Sequence, residues 1–175
     1  MFSYLLWAES PPLANKNNPS VVNLDDERWM RLAIEQASFA VAVDEVPVGA
    51  IVVYEKKVIG RGFNHREKNH KISGHAEIIA MEEASQFLKS WRLTHCTLYV
   101  TLEPCLMCTG ALIQSRIERI VYGAKDEKTG AIQSQIQIQK LPRIQHLPSV
   151  QGGVLELACQ RQLREYFEKK RHENE

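Results

Sequence analysis

The sequence predicts an α/β protein, a three-layer α/β/α sandwich around a central mixed five-stranded sheet. Apolar residues recur at helical spacing in several segments, and short β-rich runs lie between them. Strands and helices alternate in the second half of the chain, which is typical of βαβ units with parallel strands. A hairpin in the first half adds antiparallel neighbours, so the sheet is expected to be mixed.

The first half of the domain is predicted to hold one helix and this hairpin. Asp25 or Asp26 suits the N-cap of a helix that continues to about Val43. Two β-rich runs follow at 48–54 and 58–62, and the polar turn between them makes a hairpin.

The second half is predicted to alternate between helices and strands, with Ser73 as a suitable cap for its first helix. The predicted elements are a helix at 75–88, a strand at 96–102, a helix at 105–115, a strand at 117–123, a short strand at 154–157 and a helix at 159–171. The segment 132–139 alternates like a strand where a loop or short helix is expected, and an exposed edge strand is the simplest prediction for it.

Length and composition limit the classes to which the chain can belong. Its 175 residues suffice for one domain, and a formal net charge of +1 indicates no partner by itself. No apolar run approaches the roughly 20 residues that span a bilayer. Residues 1–24 contain several prolines without a sustained period and are predicted to be a flexible N-terminal extension, which leaves 25–175 as the folded domain.

The chemistry is indicated by two short strings, Gly74-His75-Ala76-Glu77 and Glu103-Pro104-Cys105-Leu106-Met107-Cys108. His75, Cys105 and Cys108 are three good zinc ligands, and Glu77 is an acidic side chain beside the first of them. Three protein ligands, an open position for water and a nearby proton acceptor are what a catalytic zinc requires. Together the strings match the H-x-E…P-C-x-x-C signature of zinc-dependent nucleobase and nucleoside deaminases.

The C-x-x-C pair has two other interpretations, a structural zinc site and a redox pair. Half of a closed structural zinc site would need a second ligand pair, which Cys96 and Cys159 do not supply. A redox pair would leave His75 and Glu77 as a coincidence. Thiols beside a ligand-like histidine favour reduced cysteines and a cytoplasmic protein.

The predicted helices explain how these side chains divide their work. His75 and Glu77 are two residues apart at a helix N-terminus, so the histidine can bind metal while Glu77 is directed towards the substrate. Cys105 and Cys108 are three residues apart and share a helical face. Glu77 is expected to take a proton from water, and then to protonate first a ring nitrogen and later the departing ammonia.

The sequence around the metal motif indicates which deaminase family the chain resembles. The residues that carry the resemblance are Glu45-Val46-Pro47-Val48-Gly49-Ala50, Gly62-Phe63-Asn64, Leu98 to Ala111, Tyr122-Gly123-Ala124-Lys125-Asp126, Lys128-Thr129-Gly130 and Tyr166 to Arg171. With the metal motif they resemble the bacterial tRNA-specific adenosine deaminase family, over about Asp26 to Arg171. The resemblance implies a cytidine deaminase-like fold, one zinc ion per subunit, a homodimer, and conversion of the wobble adenosine of a tRNA anticodon to inosine.

Four further residues are assigned to substrate by this resemblance. Asn64 matches a family residue that hydrogen-bonds the target base, and an amide can pair with an adenine edge. Without the family match, Asn64 would be interpreted as a turn residue after the strand. Asp126 matches a residue near the sugar and phosphate of the target, where it can favour RNA, or it caps its own loop. Phe167 and Lys170 lie in a basic, aromatic stretch of the last helix that suits an anticodon loop.

Two rival functions remain at this point. A free-base deaminase of the same fold, acting on guanine or cytosine, would keep the zinc residues and bind no RNA. A non-catalytic, zinc-stabilised RNA-binding subunit would have no need of Glu77.

Overall fold

The computed structural model describes residues 24–173, so the predicted extension lies outside the described residues except for Leu24. The helices are α1 Leu24–Ala42, α2 Arg66–Asn69, α3 Ala76–Leu88, α4 Leu106–Gln114 and α5 Glu156–Glu173. The strands are β1 Gly49–Tyr54, β2 Lys57–Phe63, β3 Thr97–Leu102, β4 Arg119–Ala124 and β5 Ser149–Gln151. The short α2 is not among the elements that the sequence predicted.

The five strands form one mixed sheet in the order β2-β1-β3-β4-β5. β1 pairs antiparallel with both β2 and β3, which confirms the hairpin. β3, β4 and β5 run parallel, and α4 is the crossover between β3 and β4. The predicted mixed five-stranded sheet is therefore confirmed, and its centre is the antiparallel pair of β1 and β3.

Apolar side chains on the two faces of the sheet form two separate cores. On one face, Trp29 and Met30 of α1 and Cys159 of α5 pack against strand residues such as Ile51 and Val121. On the other face, residues of α3 and α4 pack against the alternate strand positions; this core includes Ala76, Ala80, Leu112, Val52, Leu98, Val100, Ile120 and Tyr122. Successive strand residues point to opposite faces, so each strand contributes to both cores. These cores define the three layers that the sequence predicted.

The start of α1 differs from the prediction, because Asp25 and Asp26 lie inside its first turn and do not cap it. The Asp26 carboxylate accepts two hydrogen bonds of 2.7 Å from the Arg119 guanidinium and one of 2.9 Å from the Tyr99 hydroxyl. The hydrogen bonds that Arg119 donates to Asp26 raise the pKa of Arg119, against the effect of burial. This buried pair joins α1 to the middle of the sheet.

The fifth strand lies earlier in the chain than predicted. Ser149–Gln151 pairs with Arg119–Val121, whereas residues 154–157 form a turn and the first residues of α5. Gly153 and Leu155 have positive φ angles of 82° and 52°, so the backbone turns there and cannot continue as a strand. The strand predicted at 154–157 is therefore wrong, although its alternating apolar pattern is real.

The segment 132–139 is not an edge strand either. It consists of turns that lead into a 3-10 helix, Ile138–Lys140. Ile132 and Ile138 are buried in the core beneath α3 and α4. The apolar alternation reflects inward-facing residues of a compact loop. Its backbone N–H groups at 132–134 donate to the Glu103 carboxylate, and those at 135 and 136 donate to the carbonyl oxygen of Gly130.

Among residues 24–173, no helix is both long and apolar enough to cross a membrane.

Candidate active site and metal centre

Three potential metal ligands meet where α3 and α4 begin. His75 is the N-cap of α3 and Cys105 the N-cap of α4, each with extended backbone, and Cys108 lies in the first turn of α4. Ser73, which the sequence predicted as the cap of α3, lies two residues before the actual cap. The N-terminal ends of both helices face the cluster, so their partial positive charge favours thiolates there.

The position of α3 depends on a close approach to β2. A Cβ atom added at Gly62 would lie 2.1 Å from the carbonyl oxygen of Ala76, the first residue of α3. Only a residue without a side chain allows this contact. Gly62 thereby lets the N-terminus of α3, and His75 with it, lie directly on the sheet.

The ligand atoms are close enough to share one ion. Nδ1 of His75 lies 3.5 Å from Sγ of Cys108 and 3.7 Å from Sγ of Cys105. All three ligand atoms lie within 4.8 Å of one another. The three residues could therefore hold a metal ion between them.

The two thiols differ in acidity. A hydrogen bond from the Cys108 thiol lowers the pKa of Cys105 to about 4, and His75 and the backbone N–H of Cys108 lower it further against burial. The same hydrogen bond raises the pKa of Cys108. The hydrogen bond with Cys105 also raises the pKa of His75. The three side chains are therefore close enough to shift one another's acidity.

Glu77 is buried beside the ligands, with 4% of its surface exposed. Burial raises the pKa of Glu77 to about 7, although a backbone hydrogen bond and the nearby His75 oppose the shift. A carboxyl group with a pKa near neutrality can both take and return a proton at neutral pH. The catalytic role of Glu77 stays a prediction, and its position beside the ligands is consistent with it.

Asn64 lies at the end of β2, directly beside the start of α3. Its Oδ1 accepts a hydrogen bond of 3.0 Å from the backbone N–H of Ala76. This bond caps the helix and fixes the amide, because only the carbonyl oxygen can face a donor. The amide NH2 group of Asn64 remains as a fixed donor next to the ligand cluster.

Asp126 caps its own loop. Its Oδ1 accepts the backbone N–H groups of Lys128 at 2.9 Å and Thr129 at 3.1 Å, and its Oδ2 accepts the Thr129 hydroxyl. Burial would raise the pKa of Asp126, but these hydrogen bonds hold it below its usual value. The loop-cap interpretation thus describes the contacts within the chain, and the predicted contact with RNA stays a prediction.

Sequence reasoning assigned no role to Glu103, although it is one of the most buried polar residues, with 2% exposed. Its carboxylate accepts hydrogen bonds from the loop that contains Asp126. Burial raises its pKa, but the hydrogen bonds, led by that from Ser134, lower it overall. The sequence does place Glu103 between a β-rich run and Pro104, a position that is expected to be buried. Since a buried carboxylate is costly without hydrogen-bond donors, this position could have indicated a structural role.

The predicted RNA-binding residues of α5 lie away from the ligand cluster, against the loop after α1. The Tyr166 hydroxyl donates to the carbonyl oxygen of Asp44 at 3.2 Å, and the Lys170 ammonium lies 2.6 Å from the Asp44 carboxylate. Lys170 also lies 3.1 Å from Glu173. Phe167 is 45% exposed and packs edge-on against Tyr166. Phe167 therefore offers a free ring face, whereas the Lys170 charge is already engaged.

A surface cavity of about 560 Å³ opens between α2 and α3. Its lining includes His65, His70, Lys71 and Ile79, and not the metal-ligand cluster itself. His65 and Gly74 of the lining are the chain neighbours of Asn64 and His75. The cavity therefore flanks the site on the side of Asn64.

Comparison with known proteins identifies the family. The chain matches the MafB19-like deaminase family over residues 24–155. It is 44% identical to the tRNA-specific adenosine deaminase of Haemophilus influenzae over 149 residues, which cover 85% of this chain and 86% of that protein.

Two solved structures that this chain resembles are also deaminases, of two kinds. A tRNA:A34 deaminase that performs A-to-I editing at the wobble position of transfer RNA has a TM-score of 0.75 and 39% identity, covering 78% of this chain and 99% of that chain. A guanine deaminase from Nitrosomonas europaea has a TM-score of 0.70 and 26% identity, covering 95% of this chain and 97% of that chain.

The fold, with its histidine, two cysteines and buried glutamate at paired helix N-termini, defines a deaminase, a hydrolytic enzyme. Within that class, the chain belongs to the tRNA-specific adenosine deaminase family.

Proposed function

We propose that this enzyme converts adenosine to inosine by hydrolytic deamination at the wobble position of a tRNA anticodon. The observation that carries the proposal is the buried Glu77 beside the His75, Cys105 and Cys108 cluster, in a chain 44% identical to a tRNA-specific adenosine deaminase. The target base is turned out of the anticodon loop into the site, as deamination of a stacked base requires.

The ligand set fits zinc. Zinc–sulfur bonds of about 2.3 Å and zinc–nitrogen bonds of about 2.0–2.1 Å in a tetrahedron place the ligand atoms roughly 3.5–3.8 Å apart. The separations of 3.5 and 3.7 Å between His75 and the two cysteines lie in that range. A zinc ion bound there supplies a Lewis acid and an acidified water molecule. Three ligands leave the fourth position for that chemistry.

Glu77 is the proton carrier of the proposed reaction. Its carboxylate takes a proton from the attacking water and gives it to the ring nitrogen next to the reacting carbon. It then takes the second proton, from the hydroxyl group now bound to that carbon, and delivers it to the amine nitrogen as the carbonyl forms and ammonia leaves. The pKa of about 7 that burial gives Glu77 supports a group that changes protonation state repeatedly. Because the side chain is buried, its proton is exchanged with the substrate in preference to bulk water.

Asn64 orients the base. Its NH2 group is held by the hydrogen bond from Ala76 to its carbonyl oxygen, so it is a prepared donor for an acceptor on the purine, such as N7. The same bond restrains the start of α3, which begins directly after His75. Base recognition and metal binding therefore share one structural support.

Several features support an RNA substrate in place of a free base. The cavity beside Asn64 has room for part of the chain that flanks the target nucleotide, and Lys71 lies in its lining. Asp126 is assigned to the ribose of the target. The exposed ring of Phe167 can stack on an unpaired base, with Lys170 beside it.

Two further parts of the proposal concern assembly and location. Leu106 and Met107 are exposed next to Cys105, and a second copy of the chain would bury them, which supports a homodimer. All four cysteines are free thiols. A tRNA substrate and thiolate ligands both suit a reducing cytoplasm.

The test is inosine formation in an arginine tRNA anticodon stem-loop, with adenosine, guanine and cytosine assayed in parallel. Conversion of the stem-loop alone is expected. Conversion of guanine alone would replace the proposal with the activity of the guanine deaminase that this chain also resembles. Tight RNA binding without any conversion would indicate a non-catalytic subunit.

A further inference from the structure

We propose that Glu103 is a positioning residue for this reaction, which fixes the segment 126–134 beside the metal ligands so that Asp126 meets the ribose of the target nucleotide. The inference rests on the proposed function for the role of Asp126. Glu103 itself contacts neither the ligand cluster nor the substrate in this proposal.

The carboxylate of Glu103 gathers five donors from one segment. Its Oε1 accepts the backbone N–H groups of Ile132 at 3.1 Å, Gln133 at 2.7 Å and Ser134 at 2.9 Å. Its Oε2 accepts the backbone N–H of Asp126 at 3.2 Å and the hydroxyl of Ser134. Both ends of the segment are thus tied to one side chain.

The same segment contacts the chain just before α4. The N–H of Ala131 donates to the carbonyl oxygen of Pro104 at 2.9 Å, and Gly130 forms an isolated bridge with Cys105. A Cβ atom at Gly130 would lie 2.6 Å from Oε2 of Glu103, so this contact requires glycine. The segment therefore lies directly against a metal ligand.

The strand β3 could end without a buried carboxylate that accepts five hydrogen bonds, so Glu103 must serve the segment that it binds. Three consecutive N–H groups that converge on one oxygen form an anion-binding turn, and here the anion belongs to the protein. Those N–H groups have no strand to pair with, because the segment is not part of the sheet. The orientation of the segment, including that of Asp126, depends on the charge of Glu103.

The sharpest variant is Glu103→Gln. The three N–H groups at Oε1 keep a carbonyl acceptor, but an amide NH2 group then faces the N–H of Asp126 and the hydroxyl of Ser134. The hydroxyl can turn and accept from the NH2 group, whereas the Asp126 N–H cannot, so the contact with Asp126 is lost while the shape is kept. Asp126 and the ribose it meets should therefore be affected before the rest of the fold. Zinc content should stay at one ion per chain.

The experiment combines kinetics with amide hydrogen exchange. We expect Glu103→Gln to raise KM for the stem-loop about 10-fold, with a smaller change in kcat, and to speed exchange at Asp126 by about 10-fold or more. Asp126→Ala should raise KM to a similar extent. The double variant should lose little beyond the larger single effect, because both act through one contact.

Asp26→Asn is the matched control, since it alters a second buried carboxylate on the opposite face of the sheet. It should lower stability without changing KM or the exchange of the segment 126–134. Additive effects of Glu103→Gln and Asp126→Ala, or unchanged exchange at Asp126, would overturn the proposal. Exchange needs no RNA, so it tests the contact between Glu103 and Asp126 even if the stem-loop proves not to be the substrate.

Discussion

Each face of the sheet buries a carboxylate, and the surroundings of these two carboxylates differ. Asp26, on the face covered by α1 and α5, is 3% exposed and holds the Arg119 guanidinium through two hydrogen bonds of 2.7 Å. Glu77, on the face covered by α3 and α4, is 4% exposed, and burial raises its pKa to about 7. Equal burial therefore comes with a matched guanidinium partner at Asp26 and with a raised pKa at Glu77.

The difference indicates that the α1 and α5 face contributes mainly to stability, and that the α3 and α4 face holds the proposed active site. A buried charge with a matched partner is locked, since removal of either member leaves the other unpaired. A buried carboxylate without such a partner is costly to ionise, and in the proposed reaction that cost lets Glu77 act as an acid and a base near neutral pH. The predictions below separate the two faces.

Loss of a metal ligand should have the largest effect. Cys108→Ser is expected to lose bound zinc and all measurable deamination, because a serine hydroxyl does not replace a thiolate ligand at neutral pH. Zinc per chain, measured by plasma mass spectrometry, and inosine yield check this. Cys159→Ser, at a buried thiol of the other face, should keep both zinc and turnover. Full zinc occupancy in Cys108→Ser would refute the ligand assignment.

Breaking the pair on the α1 and α5 face should destabilise the protein without affecting catalysis. Asp26→Ala is expected to cost about 3–5 kcal/mol in free energy of unfolding, because it leaves Arg119 without its buried partner. Urea unfolding of the zinc-loaded enzyme measures the loss, and kcat of the folded fraction should not change. Asp26→Ala combined with Arg119→Ala should cost less than the sum of the two, and an additive result would argue against the pair.

Asn64 is expected both to stabilise the start of α3 and to bind the base, and two substitutions can separate these roles. Asn64→Ala is expected to lower kcat/KM by about 1–3 kcal/mol, through loss of a hydrogen bond to the base, and to destabilise the start of α3. Asn64→Asp keeps the acceptor for the Ala76 N–H but has no NH2 group. Asn64→Asp should therefore retain stability and lose activity. An active Asn64→Asp enzyme would show that the amide does not donate to the substrate.

The smallest effects are expected on α5. Phe167→Ala should weaken stem-loop binding by about 1 kcal/mol through lost base stacking. Lys170→Ala should change RNA binding less, because its ammonium already lies between Asp44 and Glu173. Titration of a labelled stem-loop measures both affinities. A larger loss for Lys170→Ala than for Phe167→Ala would mean that the ammonium leaves these partners for RNA.

Local patterns were enough to predict most of the helices and strands. The hairpin, α3 and α4 follow from short-range periodicity and turn residues, which a single chain displays. The ligand cluster was predicted from the H-x-E…P-C-x-x-C motif, although His75 and Cys105 are 30 residues apart. The family strings added the substrate.

Features that depend on distant partners were missed. Asp26 looked like a helix cap because its partner, Arg119, is 93 residues away. The segment 132–139 looked like a strand because the carboxylate of Glu103 that accepts its N–H groups is not visible in its own pattern. β5 was placed too late because the turn at Gly153 was not distinguished from a continuing strand.

The most direct test of the contrast between the two faces is one comparison of Glu77→Gln with Asp26→Asn. Inosine formation in the stem-loop, zinc content and free energy of unfolding should be measured for both. Glu77→Gln should bind zinc and fold normally while kcat falls by about 10²–10⁴-fold or more, as loss of an acid–base group requires. Asp26→Asn should show normal kcat and reduced stability. Near-normal turnover in zinc-loaded Glu77→Gln would contradict the role of this buried glutamate as the proton carrier.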